Sequence, residues 1–334
     1  MHSKEWSGVA FSDATFWKIA IFQKVLARMA RKTKAFLFLK TSKSIIALFL
    51  KTSFLNFILK GVCMKNNTDK FLKTSTLTKP TRTTLKAPFA WVGGKNYLAK
   101  EIIALMPEHK SYIEVFGGAL SVFYQKSASK IEVINDINDE LINLHLCIRN
   151  KPQSLANVLN SMIISRKIFH MLKNKEIKPK NDLERAAFYF YLINTSFGSS
   201  MGQFAMSKQR APKRLYRDFS LHTKRLKNAS IENKSFEYIL KEYDYNEALF
   251  YLDPPYVGTE SYYKNVPCFG LKEHELLCDL LKNIKGKFML SYNDCDLVRE
   301  LYKDFNIKEL KVRYSLNNNV LKRKESKELL IMNF

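Results

Sequence analysis

From residue 87 onward, short apolar segments alternate with longer stretches whose apolar positions recur at helical spacing. The short segments predict β-strands, and the longer ones predict α-helices. Strands that alternate with helices are typical of a doubly wound α/β fold with a mostly parallel sheet. The predicted strands are Ser111–Val115, Ile131–Ile134, Leu249–Leu252, Phe288–Ser291 and Glu328–Asn333. The predicted helices span 119–127, 139–149, 153–172, 182–195, 235–243, 272–283 and 295–304.

Acidic residues follow three of the predicted strands at their carboxyl ends, namely Asp136, Asp253 and Asp294. In doubly wound sheets, ligands bind in the crevice beyond the carboxyl ends of the strands. We therefore expect the chemistry of this protein at that edge of the sheet.

The segment after the third predicted strand reads Asp253-Pro254-Pro255-Tyr256. Consecutive prolines remove backbone donors, and the residue before a proline avoids the helical conformation. The Asp253 carboxylate and the Pro254 carbonyl then offer two acceptors beside the flat ring of Tyr256. This set suits an exocyclic amino group on a planar heterocycle such as adenine, whose lone pair would be freed to attack an electrophilic methyl group. The alternative is a rigid turn in which Asp253 caps a helix.

A glycine pair, Gly117 and Gly118, follows the first predicted strand within Tyr112–Ser121. Glycines at this place let a cofactor approach the backbone closely. Asp136 lies 19 residues beyond Gly117, a spacing at which an acidic residue holds ribose hydroxyls. The alternatives are an ordinary glycine-containing loop and a helix N-cap at Asp136.

A further short loop, Phe89–Leu98, contains an aromatic residue, two glycines and a lysine before a helix. Trp91 suits stacking on a ring, with burial in the core as the alternative. Lys95 suits pairing with a carboxylate, with simple solvation as the alternative.

The composition favours a polyanionic partner. The 334 residues include 55 Lys and Arg against 31 Asp and Glu, a net charge of +24. This excess attracts nucleic acid or an anionic membrane surface and does not choose between them. The five cysteines form no CxxC pair or Cys/His cluster, which argues against a disulfide scaffold or a structural zinc site and favours a reducing, cytoplasmic setting.

Residues 1–63 differ from the rest, with eleven Lys or Arg against two acidic residues. Their longest uninterrupted apolar run, Ile45–Leu50, is far shorter than the roughly 20 residues of a membrane-spanning helix. Phe-Leu-Lys-Thr-Ser occurs at 38–42, 49–53 and 71–75. One reading is chance in a Lys-, Phe- and Leu-rich stretch. The other is that translation naturally begins at Met64 and that residues 1–63 are not native. Residues 64–86 are predicted to be a flexible basic lead-in.

The order of the motifs, FAWVGGK, EVFGGALS, NDIN, a long basic insert and then DPPY, resembles that of the Dam-like adenine-specific DNA methyltransferases. The resemblance runs from about Ala87 to Phe334 and includes the Asn- and Lys-rich closing stretch. It implies a Rossmann-like methyltransferase fold with a cofactor-binding half at 87–150, a helical, basic target-recognition insert at 151–245 and a catalytic half at 246–334. It also implies S-adenosylmethionine as methyl donor, held by Trp91, Lys95, Glu114, Phe116, Gly117, Gly118, Asp136 and Asp253.

The implied reaction is direct methyl transfer to N6 of an adenine flipped out of duplex DNA, with no metal. The resemblance assigns the flipped base to Asp253, Pro254 and Tyr256. Two departures stand out. Val115 and Leu120 replace the Pro and the second spaced Gly of many relatives, and Asn194–Gly198 departs from the expected element after the central helix, so a GATC target does not follow.

A basic segment supports DNA reading. Residues 196–228 hold eight Lys or Arg against one acidic residue, Asp218, with aromatic residues interleaved. Basic groups there suit phosphate contacts, and the alternative is a solvated surface loop. The predicted DNA-binding residues are Lys208, Arg210, Lys213, Arg214 and Arg217, with Arg323 and Lys324 from a second cluster.

Two other functions stay open from the residues. A methyltransferase acting on RNA or protein also fits a DPPY turn, and a decayed relative would bind DNA without chemistry. We expect double-stranded DNA as partner, no metal, no membrane, a monomeric state and a cognate restriction nuclease as a further candidate partner.

Overall fold

Seven strands form one sheet in the part of the chain that the computed structural model describes, residues 85–206, 215, 217–259, 267–313 and 325–334. The strands are β1 (Ser111–Glu114), β2 (Ile131–Asn135), β3 (Ser230–Glu232), β4 (Ala248–Leu252), β5 (Lys287–Asn293), β6 (Asn306–Arg313) and β7 (Glu325–Met332). Their order across the sheet is β3-β2-β1-β4-β5-β7-β6. The first five strands of this order are parallel, and β7 runs antiparallel to both β5 and β6. The predicted mostly parallel α/β fold is confirmed.

Along the described parts of the chain, ten helices precede, connect or follow these strands. They are α1 (Ala99–Ala104), α2 (Ser121–Gln125), α3 (Asp139–Asn150), α4 (Pro152–Ser161), α5 (Arg166–Lys173), α6 (Asp182–Thr195), α7 (Ser220–Leu226), α8 (Phe236–Glu242), α9 (Leu271–Lys282) and α10 (Asp296–Leu301). A 3₁₀ turn spans Phe197–Ser199. Within the described ranges, no helix has the length and apolar character needed to cross a membrane.

The central strands are buried on both faces, as their continuous apolar runs require. In β4 the residues alternate between two apolar clusters, with Leu249 and Tyr251 in one cluster and Phe250 and Leu252 in the other. Because side chains in a strand alternate between faces, these clusters are the cores on the two sides of the sheet.

The strand order reverses between β1 and β4. From β1 the chain moves outward to β2 and β3, and from β4 it moves the opposite way to β5. Ligands bind in such sheets at this reversal, beyond the carboxyl ends of the strands. Three of the segments singled out in the sequence, those after β1, β2 and β4, therefore meet at one edge.

All five predicted strands are present, with bounds that coincide or differ by up to three residues. Sequence reasoning missed β3, which has three residues, and β6, an edge strand in which charged side chains outnumber apolar ones. The predicted helix 153–172 is two helices, because the backbone becomes extended at Met162 and the Ser165 side chain caps α5.

The predicted insert at 151–245 contains two kinds of structure. Helices α4, α5 and α6 pack as a group with α3. Strand β3, in contrast, joins the sheet beside β2, in register with 133–135. The carboxyl-terminal end of the predicted insert thus contributes to the sheet itself. The predicted segment 1–63 and residues 64–84 lie outside the described residues.

Candidate active site

Strand β4 leads directly into the acidic turn. The strand is buried along its length, and Pro254 and Pro255 lack the N–H groups that would continue its pairing. Asp253 therefore leaves the sheet at its carboxyl edge. Lys95 lies against this carboxylate, with its Nζ 2.6 Å from Oδ1 and 2.7 Å from Oδ2. Burial raises the pKa of Asp253 above its ordinary value, and the charge of Lys95 opposes this rise.

Lys95 also links Asp253 to two further side chains. Its ammonium donates to the Gly93 carbonyl at 2.8 Å and lies 4.9 Å from the centre of the Tyr256 ring. The same Nζ is 3.4 Å from Oε1 of Glu328, which accepts a hydrogen bond of 2.6 Å from the Tyr256 hydroxyl. Lys95, Asp253, Tyr256 and Glu328 thus form one connected group, here called the DPPY cluster.

The chain beyond Tyr256 is held by a turn and by a side chain of β5. The Thr259 N–H donates to the Tyr256 carbonyl at 2.9 Å, with Gly258 between them at φ +84°. A positive φ at this place favours glycine. The Asn293 side chain donates to the Val257 carbonyl at 3.1 Å. The DPPY turn is therefore fixed from within and from the neighbouring strand.

Two different steric constraints favour glycine at the two positions after β1. A Cβ on Gly117 would lie 2.9 Å from the Asn135 carbonyl oxygen, because this loop runs tightly against the end of β2. Gly118 has φ +51°, and a Cβ there would lie 2.8 Å from the Trp91 indole. The paired glycines thus let the loop pass between β2 and Trp91.

Gly118 is held on both sides. Its N–H donates to Oδ2 of Asp136 at 2.8 Å, and Oδ1 of Asp136 accepts the Asn138 N–H at 2.9 Å. Its carbonyl accepts a hydrogen bond of 2.8 Å from Nε2 of His145. Burial lowers the pKa of His145 to about 4, so its ring is neutral at neutral pH. Sequence reasoning gave no signal for His145, which lies within α3.

These segments line a pocket at the carboxyl edge of the sheet. All eight residues predicted to bind the cofactor line it: Trp91, Lys95, Glu114, Phe116, Gly117, Gly118, Asp136 and Asp253. Pro254 and Tyr256 are absent from its lining, although Pro255 contributes to it. The lining also includes residues that the sequence analysis did not assign to the cofactor, among them Ser121, Asn138 and Phe269.

Carboxylates dominate the charges of this pocket. Glu114, Asp136 and Asp253 line it, and Lys95 is the only Lys or Arg among its described lining residues. Glu114 accepts hydrogen bonds from the Tyr112 hydroxyl at 2.7 Å and from the Phe123 N–H at 3.0 Å. Burial nevertheless raises the pKa of Glu114 to about 8. Burial also raises the pKa of Asp136. A cationic ligand in this pocket would favour the ionised forms of these carboxylates.

Asp294, the third acidic residue at a strand end, lies outside the pocket lining. It pairs with Arg299, whose Nε is 2.6 Å from Oδ1, and Arg299 also contacts Glu309 at 2.6 Å. Of the three acidic residues at strand ends, Asp136 and Asp253 therefore line the pocket and Asp294 does not. Among the described residues, no group of three or more His, Cys, Asp or Glu is arranged to hold a metal ion.

The predicted DNA-binding residues lie mostly outside the described residues. Lys208, Arg210, Lys213, Arg214, Arg323 and Lys324 fall in the undescribed ranges, whereas Arg217 is described and exposed.

One basic residue of the same segment is structural. The Arg225 guanidinium lies 3.7 Å from the centre of the Phe123 ring and donates to Glu132, with Nη2 at 2.8 Å from Oε1. Lys126 bonds the same oxygen at 2.8 Å.

Comparison with known proteins gives a consistent result. Residues 91–316, more than half of the chain, match the model of the D12 class N6 adenine-specific DNA methyltransferase family. The type II methyltransferase M.CviBI of Paramecium bursaria Chlorella virus NC1A is 28% identical over 240 residues, covering 69% of this chain and 91% of that protein. The type II methyltransferase M1.LlaDCHI of Lactococcus lactis subsp. cremoris is 29% identical over 272 residues, covering 74% and 95%. The DNA adenine methylase of Escherichia coli (strain K12) is 24% identical over 267 residues, again covering 74% and 95%.

Proposed function

The chain belongs to the D12 class of N6 adenine-specific DNA methyltransferases, and from this premise we propose that it transfers a methyl group from S-adenosylmethionine to N6 of an adenine flipped out of duplex DNA. The adenine would lie in one short recognition sequence. The observation that carries the proposal is the position of Asp253. This residue lines the pocket and also belongs to the DPPY cluster, so it can contact both a donor and a base.

The pocket suits S-adenosylmethionine in the charged and polar groups that line it. The donor carries a cationic sulfur and an ammonium group, and the pocket offers three carboxylates. Ser121 lines the same pocket, and its buried hydroxyl oxygen has no hydrogen-bond partner among the described residues. A buried hydroxyl in this state favours a polar ligand beside it.

We assign the parts of the donor site by the chemistry of each residue. The Asp136 carboxylate, which keeps free lone pairs after accepting two N–H bonds, would hold ribose hydroxyls. Phe116, which packs against the rings of Phe236 and Phe269, and Trp91 would supply apolar walls. Lys95, Glu114 and Asp253 would set the charge near the reacting end. When bound, S-adenosylmethionine supplies an electrophilic methyl group.

The DPPY turn would prepare the adenine. Asp253 and the Pro254 carbonyl accept the two N–H bonds of N6, which draws the nitrogen towards tetrahedral geometry and frees its lone pair. Lys95 takes one lone pair on each Asp253 oxygen, so acceptor capacity remains. The Tyr256 ring offers a stacking face that offsets part of the few kcal/mol spent on unstacking the base.

DNA binding would rest on the net charge of +24 and on the basic segment around Arg217. Phosphate contacts by Lys208, Arg210, Lys213, Arg214, Arg217, Arg323 and Lys324 would position the duplex. Base reading would need further contacts from the same segment.

A cytoplasmic, monomeric enzyme fits these proposals. Two relatives are named type II methyltransferases, which favours a restriction nuclease of the same specificity as a partner. Size-exclusion chromatography with light scattering tests the monomer. Protection of methylated plasmid from a nuclease encoded beside the gene tests the partner.

The decisive experiment is single-molecule sequencing of genomic DNA from a host without adenine methylation that expresses the full chain. We expect N6-methyladenine in one short motif. The Asp253→Ala variant should lose at least about 10³-fold in rate, because it loses an acceptor used in the transition state. Asp294→Ala is the matched control, since Asp294 pairs with Arg299 outside the pocket, and it should keep the modification. Full modification in Asp253→Ala would refute the assignment of that residue.

A further inference from the structure

Glu328 is a buried carboxylate in direct contact with the DPPY cluster. It lies in β7 and is 2% exposed, with its Oε1 at 2.6 Å from the Tyr256 hydroxyl and 3.4 Å from Lys95 Nζ. Burial of a carboxylate costs free energy unless the group is paired and hydrogen-bonded, and these two contacts with the DPPY cluster meet that requirement.

The strand register places Glu328 beside a second side chain that holds the same turn. Glu328 is the cross-strand neighbour of Asn293 in β5. Asn293 donates to the Val257 carbonyl at 3.1 Å, while Glu328 accepts from the hydroxyl of Tyr256. Two neighbouring residues of the antiparallel strands therefore hold the turn. Asn293 binds the backbone of the turn, and Glu328 binds the hydroxyl of its tyrosine.

Glu328 also sets the charge of the cluster. Lys95 touches both oxygens of Asp253 and is close to Glu328. Without Glu328, Lys95 and Asp253 would form a neutral pair. With it, the cluster keeps one net negative charge when both carboxylates are ionised. A negative cluster stabilises the positive charge that develops on the adenine amino nitrogen as it accepts a methyl group.

We propose that Glu328 is a positioning residue for methyl transfer: it orients the Tyr256 ring through the hydroxyl and draws on the Lys95 ammonium, so that Asp253 keeps its strength as an acceptor. This inference rests on the proposed role of the DPPY turn in holding the flipped adenine. Glu328 itself need not touch the base or the donor.

The chain offers a matched control in Glu132. Glu132 of β2 is also a buried carboxylate, 5% exposed, and it pairs with Lys126 and Arg225. Glu132→Gln and Glu328→Gln remove the same charge from similarly buried places. A merely structural role for Glu328 predicts that the two variants behave alike.

The first readout does not depend on activity. The full chain is labelled with 3-fluorotyrosine, and the ¹⁹F resonance of Tyr256 is assigned by its loss in Tyr256→Phe. We expect this resonance to move in Glu328→Gln and to stay in place in Glu132→Gln. An unmoved resonance in folded Glu328→Gln, with folding verified by circular dichroism, overturns the contact on which the proposal stands.

The second readout is steady-state kinetics on duplex DNA that carries the recognition sequence. Glu328→Gln should lower kcat by about 10- to 100-fold, the size of a lost charge-assisted hydrogen bond, with KM for DNA and for donor nearly unchanged. Glu132→Gln should keep kcat. The double variant Glu328→Gln/Tyr256→Phe should lose less than the product of the single losses, because the two residues share one bond.

The outcomes separate this inference from the function on which it rests. A wild-type chain that methylates no DNA overturns the proposed function, and the catalytic role of Glu328 with it, whatever the ¹⁹F spectrum shows. An active wild-type chain with an equally active Glu328→Gln overturns this inference alone. Lowered kcat in Glu328→Gln with fully additive losses in the double variant overturns the route through Tyr256.

Discussion

Single residues at this site carry more than one constraint at once. Gly118 must have a positive φ, must leave room for the Trp91 indole and must present its N–H to Asp136. Glu114 must stay buried while lining a pocket that holds two further carboxylates. Because each constraint acts at a single position, a single substitution can test it.

Substituting Gly118 with Ala should weaken donor binding by about tenfold or more, because Ala is strained at φ +51° and its Cβ would overlap the Trp91 ring. Isothermal titration calorimetry with S-adenosylmethionine measures this. Gly202→Ala is the control, because a Cβ there meets only the Ser200 hydroxyl, at 3.3 Å. Equal affinities in the two variants would contradict the steric account.

The raised pKa of Glu114 predicts opposite pH effects on binding and on stability. Burial places this pKa at about 8, above the ordinary value of 4.5. The folded, ligand-free protein then binds more protons than the unfolded chain between these values, so its stability falls as pH rises from 4.5 to about 8. A cationic donor prefers the ionised carboxylate, so its affinity should rise over the upper part of this range.

Thermal melts and calorimetry on either side of pH 8 measure both effects. Glu114→Gln keeps the shape of the side chain but cannot ionise. It should flatten both pH dependences and should weaken donor binding most at high pH. If stability and donor affinity of Glu114→Gln changed with pH as they do in the wild type, a group other than Glu114 would be the one that titrates.

At the scale of elements, α7 is tied to β2 by a buried ionic group. Arg225 of α7 covers the Phe123 ring and pairs with Glu132 of β2, which Lys126 also contacts. The positive charge of Arg225 is therefore paired with Glu132 within the protein.

Arg225→Met should destabilise the fold by about 3 kcal/mol, because it leaves Glu132 buried with one partner fewer. Urea unfolding followed by circular dichroism measures this. The control is Arg185→Met, since Arg185 pairs with Asp139 at the surface and its loss should cost about 1 kcal/mol or less. Equal losses would mean that the Arg225 pair contributes no more than a surface pair.

Element boundaries show where sequence patterns suffice. The apolar run of β4 and the capping Asn138 of α3 are local signals, and both elements were predicted within one residue. The edge strand β6 carries no such run and pairs within the sheet only with β7. The break between α4 and α5 depends on Ser165 as a cap, which competes with an otherwise helical pattern.

At the scale of the whole molecule, the charge of +24 predicts binding to duplex DNA that weakens steeply with salt. A protein that neutralises several phosphates loses about 10³- to 10⁵-fold in affinity between low and moderate salt. Fluorescence anisotropy with a labelled duplex over a salt series measures the slope.

Arg217→Ala should reduce that slope by about one, because this exposed side chain is free to meet a phosphate. Folded Arg225→Met should leave the slope unchanged, since Arg225 is paired with Glu132. The reverse pattern would show that α7, and not the segment before it, faces the DNA.

The sequence by itself determined the alternating strands and helices, the acidic turn after β4 and the glycine loop after β1. These features are local, because periodicity, proline and glycine act on neighbouring residues. The order of the motifs also determined the family. The tertiary structure alone decided that Lys95 meets Asp253 across 158 residues of chain, that Glu328 reaches Tyr256 from the last strand, and that Asp294 does not join them. Such pairings depend on strand order and register, which bring distant residues to the same edge of the sheet.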